Sequence, residues 1–367
     1  MRRSTHHRAI NVVVLGPALH AVSGVSTHVN MLLASDLSAS FHLSHFQVGS
    51  EGRQDGWMRR ICRLVLSPFQ FAMMLIRERP DVIHINTSLV PRAYWRDIVY
   101  LVIARSFRKE IVTQIHGGAL PQSFFDRPFL RWVLKKFLRA SHVVVVLSSE
   151  EVRAYRTFDE RVRVELVPNA IAVTEAMTNH RESNVDAPLQ IVYVGRLVRT
   201  KGVFDALVAA RQLKDEAVPF RFQIAGSGPD EMEVRREILR LGLGTDVLML
   251  GPIAGDAKTT LWLTSDVFAF PTFHLEGLPY TILEALAAGC VPVTCAVAAI
   301  PDVMRNGQHG IFIPPHDPAA IAAAIRRLAE NRDELRQMSD AGRRRVAEQY
   351  TVDRLVAQFR EIYAGMV

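Results

Sequence analysis

Cysteine is scarce in this sequence of 367 residues: Cys62, Cys290 and Cys295 are an odd number with no CxxC spacing. That pattern argues against a disulfide framework or a zinc site, and the three are expected to be small buried hydrophobes. Long apolar runs are missing as well. The longest candidates, residues 98–104 and 143–147, fall far short of the ~18 residues that cross a bilayer. The basic stretch 1–9 is followed only by the short, strand-like run 10–15, so no signal peptide is expected and the chain is expected in the cytoplasm. No Asp-x-Asp occurs, and no two histidines have metal-ligand spacing. What is present has the balance of a folded protein. With 49% hydrophobic and 22% charged residues, disorder, collagen-like chain and coiled coil are excluded. The length predicts two domains.

The net charge of +7 is unevenly placed. Residues 1–186 carry 24 Lys and Arg against 16 Asp and Glu, whereas residues 187–367 carry 20 against 21. Within 1–140 the imbalance is 19 to 8. Such asymmetry points the first half toward an anionic partner, or else gives it a generally basic surface.

Short β-branched runs ending in Gly, Pro, His or Ser alternate with helical periodicity along the whole chain. In the first half they lie at 10–15, 82–86, 111–116, 142–147 and near 164–167. In the second they lie at 191–194, 221–225, 247–250, 267–270, 291–294 and 310–313. The polar, aperiodic stretch 174–188 separates the two series. An α/β fold of two parallel, doubly wound sheets follows, with ligands expected beyond the carboxyl ends of the strands and between the two sheets. The expected boundaries are 1–175, 187–350 and a terminal helix in 351–367.

Residues of chemical interest fall at those ends. Tyr193-Val-Gly195-Arg196-Leu-Val-Arg-Thr-Lys201-Gly202 puts a glycine and cations in a loop entering a helix, where amides and the helix dipole favour a diphosphate. Downstream, Glu276-Gly277-Leu278-Pro279 leads into a helix that carries Glu284 and stops at Gly289. The two carboxylates are separated by at most ~12 Å of helix rise and can address separate hydroxyls of one ligand, unless Glu284 makes a structural pair with Arg196 or Lys201.

These motifs resemble the group 1 retaining nucleotide-sugar glycosyltransferases, family 4 of the glycosyltransferases, whose fold is GT-B: two Rossmann-like domains facing across a cleft. Glu-x7-Glu, Gly-Arg-x4-Lys-Gly and Ala225-Gly226-Ser-Gly-Pro229 carry the resemblance, with weaker matches in Pro80-Asp-Val-Ile-His84 and Val167-Pro-Asn-Ala170. The resemblance implies donor binding by Gly195, Arg196, Lys201, Gly226, Glu276, Gly277, Leu278, Pro279 and Glu284. Arg196 and Lys201 would take the diphosphate, Glu284 the ribose, and Glu276 with the backbone of 277–279 the sugar. It also implies that His116, in Gln114-Ile-His116-Gly117-Gly118, hydrogen-bonds the sugar near the reacting centre, and that the last helix packs on the first domain. Members often carry Gly-Gly before the first helix, where this chain has Ser23-Gly24-Val25, so Gly24 alone is left to approach a phosphate. His28, His84 and His274 are weaker candidates, and 18–22 is expected as a flexible lip.

The expected catalytic set is His116, Arg196, Lys201 and Glu276, with no metal and no cofactor. The nucleotide-sugar, a UDP-sugar, is a substrate. The expected acceptor is a glycan or lipid-linked glycan of a bacterial-type surface polysaccharide or glycolipid, with no nucleic acid partner. Two stretches, 57–66 and 129–139, mix Trp, Phe and Leu with Arg and Lys at helical spacing, which suits peripheral association with an anionic inner membrane face. Two other readings share the architecture: a non-hydrolysing sugar-nucleotide epimerase or phosphorylase, and a catalytically silent sugar-nucleotide binder.

Overall fold

The computed structural model describes residues 10–53, 56–178, 187–274 and 277–366. The chain divides into two compact units. The first holds Met1–Asn169, Glu276–Leu278 and Val352–Val367; the second holds Ala170–Leu275 and Pro279–Thr351. The division falls at Asn169, ahead of the polar stretch, because Ile171 N–H already donates to the Tyr350 carbonyl within the second unit (2.9 Å). Of the polar stretch, residues 179–186 lie outside the described residues.

In the first unit the strands are β1 (Ile10–Gly16), β2 (Phe41–Gln47), β3 (Val82–Leu89), β4 (Glu110–Gly118), β5 (Val143–Val146) and β6 (Val164–Leu166). They pair in parallel in the order β2-β1-β3-β4-β5-β6. In the second they are β7 (Leu189–Val194), β8 (Phe220–Ala225), β9 (Val247–Gly251), β10 (Val267–Phe270), β11 (Val291–Cys295) and β12 (Ile311–Ile313), in the order β12-β11-β10-β7-β8-β9. Parallel sheets covered by helices select unbroken β-branched runs, and that is why Val143–Val146 is buried at all four positions. Each sheet has one place where the connections leave in opposite directions: β1/β3 in the first and β7/β10 in the second. Beyond the carboxyl ends at such a point, loops part and a ligand can enter.

The first core joins Leu15, Ile83, Ile85 and Ile115 from the sheet to Phe71, Tyr94, Tyr100 and Phe137 from the helices. The Val352–Ala364 helix belongs to this unit, with Phe359 and Tyr363 fully buried and the Tyr363 ring centroid 5.4 Å from that of Phe41. One expectation about the core is corrected. Cys290 and Cys295 are buried, but Cys62 is exposed, because the Trp57–Glu78 helix packs mainly through Ser67, Phe71 and Leu75 and turns its first turns outward. The 18–22 segment is also tied down. Ser26 Oγ donates to the Ala18 and Leu19 carbonyls (3.0 and 2.9 Å), Asn30 Nδ2 to Leu19 (2.6 Å), and Ala18 N–H to Glu51 (3.4 Å), leaving Val22 as the fully exposed tip.

Candidate functional site

In the second unit, three loops converge at the carboxyl edge beside the β7/β10 switch point. Gly226 follows β8 at φ +144°, and a Cβ there would stand 1.9 Å from the Gly195 carbonyl oxygen after β7. Gly202, at φ +75°, touches the chain after β10 so closely that a Cβ would lie 2.2 Å from the Pro271 oxygen. Phe273 N–H donates to the Thr200 carbonyl (3.0 Å), closing the same seam. Backbone is thus brought against backbone where only glycine fits.

The cations of the β7 loop are sorted by their surroundings. Arg199 is occupied: it pairs with Glu233 (2.5 Å) and lies over the Phe204 ring (4.2 Å). Arg196 is exposed, and its carbonyl accepts from the Tyr193 hydroxyl (3.2 Å). Lys201 is half-buried, with Nζ 5.7 Å from the centroid of Phe270 at the end of β10. Arg199 and Lys201 share the 3-10 turn Arg199–Lys201, from which Gly202 opens the Val203–Asp215 helix.

Glu284 lies in the Tyr280–Ala288 helix, an apolar segment whose Ile282, Leu283 and Leu286 are buried. Its partner is neither Arg196 nor Lys201. Lys258 Nζ reaches it at 2.7 Å, and Trp262 Nε1 donates to the same carboxylate (3.2 Å). Both come from the Gly255–Thr264 helix, four residues apart and therefore on one face. That i, i+4 spacing of Lys258 and Trp262 was the available signal for this pair of residues, which sequence reading missed. Glu276 lies outside the described residues. Pro279 is the residue before the helix, in extended backbone, and Leu278 is buried.

In the first unit the site is built around His116. Asn86 Nδ2 donates to the Leu15 carbonyl (3.0 Å), which turns Asn86 Oδ1 toward His116 Nε2 (2.7 Å). An amide oxygen only accepts, so Nε2 carries the proton and Nδ1 keeps its lone pair. Gly277 packs here: a Cβ on it would meet the His116 carbonyl at 2.9 Å and Leu147 at 2.5 Å. Asn169 Nδ2 fixes the next carbonyl, that of Leu278 (2.7 Å). The structure therefore gathers His116, Gly277 and Leu278. Gly24 is exposed at the start of the Gly24–Ala34 helix, where Ser23 Oγ accepts from Ser26 N–H (3.2 Å).

Behind His116 lie two more imidazoles. His28 stands 4.9 Å from it and 6.5 Å from His84, centroid to centroid. Both are completely buried. His84 accepts from the Tyr363 hydroxyl at Nδ1 (2.7 Å) and donates from Nε2 to Gln114 Oε1 (3.1 Å), a pattern that a neutral ring satisfies. Neither nitrogen of His28 makes a hydrogen bond of normal geometry. Burial drives the pKa of His28 down to about 4, offset in part by Gln114, and that of His84 down to about 3. Burial, and then repulsion from those two rings, holds His116 well below the usual histidine range. His116 is thus a neutral ring that presents a hydrogen-bond acceptor. In the second unit, His274 sits beside Thr200 Oγ1 (3.1 Å). Among the described residues no three His, Cys, Asp or Glu side chains gather as a metal cluster.

Two doubly wound parallel units, the second with glycine-dependent loops at its switch point, define an α/β protein of paired Rossmann-like units. Two adjacent family models match the chain: glycosyl transferases group 1 over residues 170–345, and glycosyltransferase family 4 over residues 22–175. The chain belongs to the group 1 glycosyltransferases of GT-B fold. It is 31% identical over 195 residues, half of its own length, to WcaL of Salmonella typhimurium, a protein named for colanic acid biosynthesis. The chain spans about half the length of the curated relatives it matches, 48% of WcaL. Among solved structures, sucrose-phosphate synthase of Thermosynechococcus elongatus superposes with a TM-score of 0.80 over 97% of this chain and 99% of that one, at 18% identity. HepE of Anabaena, solved in complex with UDP, superposes with a TM-score of 0.76 over 98% and 100%, at 15% identity.

Proposed function

We propose that this chain transfers a sugar from a UDP-sugar to a glycan or lipid-linked acceptor, with retention at C1, in surface polysaccharide or glycolipid assembly. The observation that carries this reading is the β7/β10 edge, where Arg196 and Lys201 stand on a loop locked by Gly195–Gly226 and Gly202–Pro271 contacts. Breaking the bond from C1 to oxygen leaves negative charge on the diphosphate and positive charge on the ring. Cations and amides already fixed where the phosphate charge grows lower that barrier most. Arg196, Lys201 and the loop amides supply this stabilisation, with no metal or other cofactor required. Glu284, oriented by Lys258 and Trp262, has lone pairs left for the ribose hydroxyls. His116 Nδ1 accepts from a donor-sugar hydroxyl, and the backbone of 277–279 with Glu276 holds the remainder of that sugar. The acceptor hydroxyl enters on the face the diphosphate leaves, and a phosphate oxygen takes its proton.

Names such as colanic acid biosynthesis and a UDP complex among the similar proteins support the acceptor class and the donor base. The cationic, apolar helices of the first unit support work at the cytoplasmic face of a membrane carrying anionic lipid. The test is thermal-shift screening against UDP-, GDP- and ADP-sugars, followed by product analysis with and without EDTA. UDP-sugars are expected to stabilise most, and transfer is expected to survive the chelator. Lys201→Ala and Arg196→Ala are each expected to weaken UDP binding at least tenfold, whereas Arg199→Ala, whose charge is already matched by Glu233, leaves it within threefold. A chelator-abolished reaction restored by magnesium, or equal effects from all three variants, overturns the assignment.

A further inference from the structure

The helices Trp57–Glu78, Pro91–Ser106 and Pro128–Ala140 pack side by side in the first unit; Tyr100 Oη donates to Ser67 Oγ (2.8 Å) between the first two. Together they carry eleven Lys and Arg and only two acids, Glu78 and Asp97. Asp97 is buried against Arg96. Their outer face is apolar to a degree unusual for solvent: Trp57, Leu64, Phe69 and Phe129 are each about 70% exposed (72, 71, 69 and 68%), and Trp95 and Val99 continue the surface. A cavity of about 460 Å³ opens between the second and third helices. Ile98, Leu101, Val102, Trp132, Val133 and Phe137 form its walls, and Arg105 and Lys136 are its basic residues. Ile98, Leu101, Val102 and Arg105 fall on one helical stripe, as do Trp132, Val133 and Lys136. Both helices connect parallel strands and so run the same way. The cations therefore lie toward the same end, ~6–10 Å of helix rise beyond Trp132 and Ile98. An apolar slot with charge at one end is the shape of a lipid, not of a sugar.

We propose that this groove binds one hydrocarbon chain of an anionic membrane lipid, with its phosphate against Arg105 and Lys136. The proposal rests on the membrane-surface reading given above and adds to it a discrete, saturable site. Charge selects the occupant. A second copy of this chain would bring the same cationic helices against themselves, whereas an anionic leaflet attracts each Lys or Arg brought near it. Lys136, which lies over the Trp132 ring (5.5 Å), and Arg105, 3.4 Å from His142 Nε2, are already held near the groove.

Two measurements on the full chain separate the site from the surface. In the first, dodecyl phosphate below its micelle concentration is titrated by calorimetry, beside dodecyl maltoside and inorganic phosphate. Saturable one-to-one binding of dodecyl phosphate alone is expected, weakened at least tenfold by Val102→Trp, which fills the slot, and by Lys136→Glu, but unchanged by Leu64→Ser on the neighbouring helix. In the second, flotation with phosphatidylcholine vesicles with and without 30% phosphatidylglycerol is expected to show salt-sensitive, anion-dependent binding that Leu64→Ser reduces. Unfolding curves in urea verify that each variant is folded. Vesicle binding that is indifferent to Val102→Trp, with no one-to-one binding of the monomeric lipid, overturns the groove and leaves the surface reading standing. Groove binding without flotation removes the surface reading alone. Self-association through this face, or salt-sensitive capture of single-stranded RNA with no response to lipid, refutes the lipid site.

Discussion

Acid should loosen the first unit more than the second, where among the described histidines His309 alone is held low, by burial and then by nearby arginines. His28 and His84 are buried as neutral rings with pKa values near 4 and 3, against ~6.5 in an unfolded chain. The sign follows from proton uptake. Above pH 6.5 neither state binds a proton at these rings; below it the unfolded chain does and the folded unit does not, so stability is lost as pH falls from about 6.5 through about 4 for His28 and on to about 3 for His84. One pH unit inside that window is worth ~1.4 kcal/mol for each ring, so lowering pH from 7 to 5 removes about 2 kcal/mol per histidine and about 4 kcal/mol for the two. His116 adds in the same direction. A domain with ~5–15 kcal/mol in total would feel that loss.

Hydrogen exchange read on peptides covering β3 and β4 at pH 7, 6 and 5, with rates corrected for intrinsic pH dependence, isolates this unit from the other. His28→Leu is the informative variant, because neither His28 nitrogen makes a hydrogen bond of normal geometry and the substitution gives up only the weak contact with Gln114. It is expected to remove about 2 kcal/mol of the loss between pH 7 and pH 5. Protection that stays flat over that range, or a slope identical in wild type and His28→Leu, would refute the claim that the rings are held neutral by burial.

Three further outcomes follow from single contacts. Gly226→Ala places a methyl group 1.9 Å from the Gly195 oxygen at a φ of +144°, so the second unit should lose about 1–3 kcal/mol or more in urea unfolding, and with it the thermal shift by UDP. Lys258→Met leaves the Glu284 carboxylate with Trp262 alone; nucleotide affinity should fall about tenfold, and a double-mutant cycle with Glu284→Gln should be strongly non-additive in a calorimetric titration. Phe359→Ala in the terminal helix removes a fully buried ring that packs on His28 and His84, and should cost about 3–5 kcal/mol in the first unit.

The alternation of β-branched runs and helices was enough to place eleven of the twelve strands found among the described residues, because buried parallel strands have to be apolar on both faces. β2 escaped: Phe41-His-Leu-Ser-His-Phe-Gln47 pairs only with β1 and tolerates polar residues on its open side. In the site, the glycines were legible as turns, but not as the points where Gly195 meets Gly226 and Gly202 meets Pro271, since those contacts join segments distant in sequence. Glu284 was legible as a carboxylate needing a partner. Which cation would serve was not, because Lys258 and Trp262 reach it from another helix. His28 and His84 drew little weight as lone histidines; only packing shows that they form one buried stack with His116.

That stack bears on how each unit can recognise a ligand. A charge on His116 would be desolvated beside two buried rings, the nearer 4.9 Å away, that carry no compensating charge, so the first unit keeps this edge neutral. Asn86 completes the arrangement by fixing which nitrogen faces outward. In the proposed reaction, positive charge for a departing phosphate comes from the second unit's β7 loop, which carries Arg196, Arg199 and Lys201, with Arg199 paired to Glu233. If this division holds, Asn86→Leu should raise KM for the donor and leave UDP affinity within threefold, because it frees the His116 ring to rotate or change tautomer without altering any cation. Arg196→Ala should weaken UDP and UDP-sugar alike. An Asn86→Leu enzyme that loses UDP affinity as severely as Arg196→Ala would mean that the histidine edge takes part in holding the diphosphate, and the separation of neutral from charged recognition would fail.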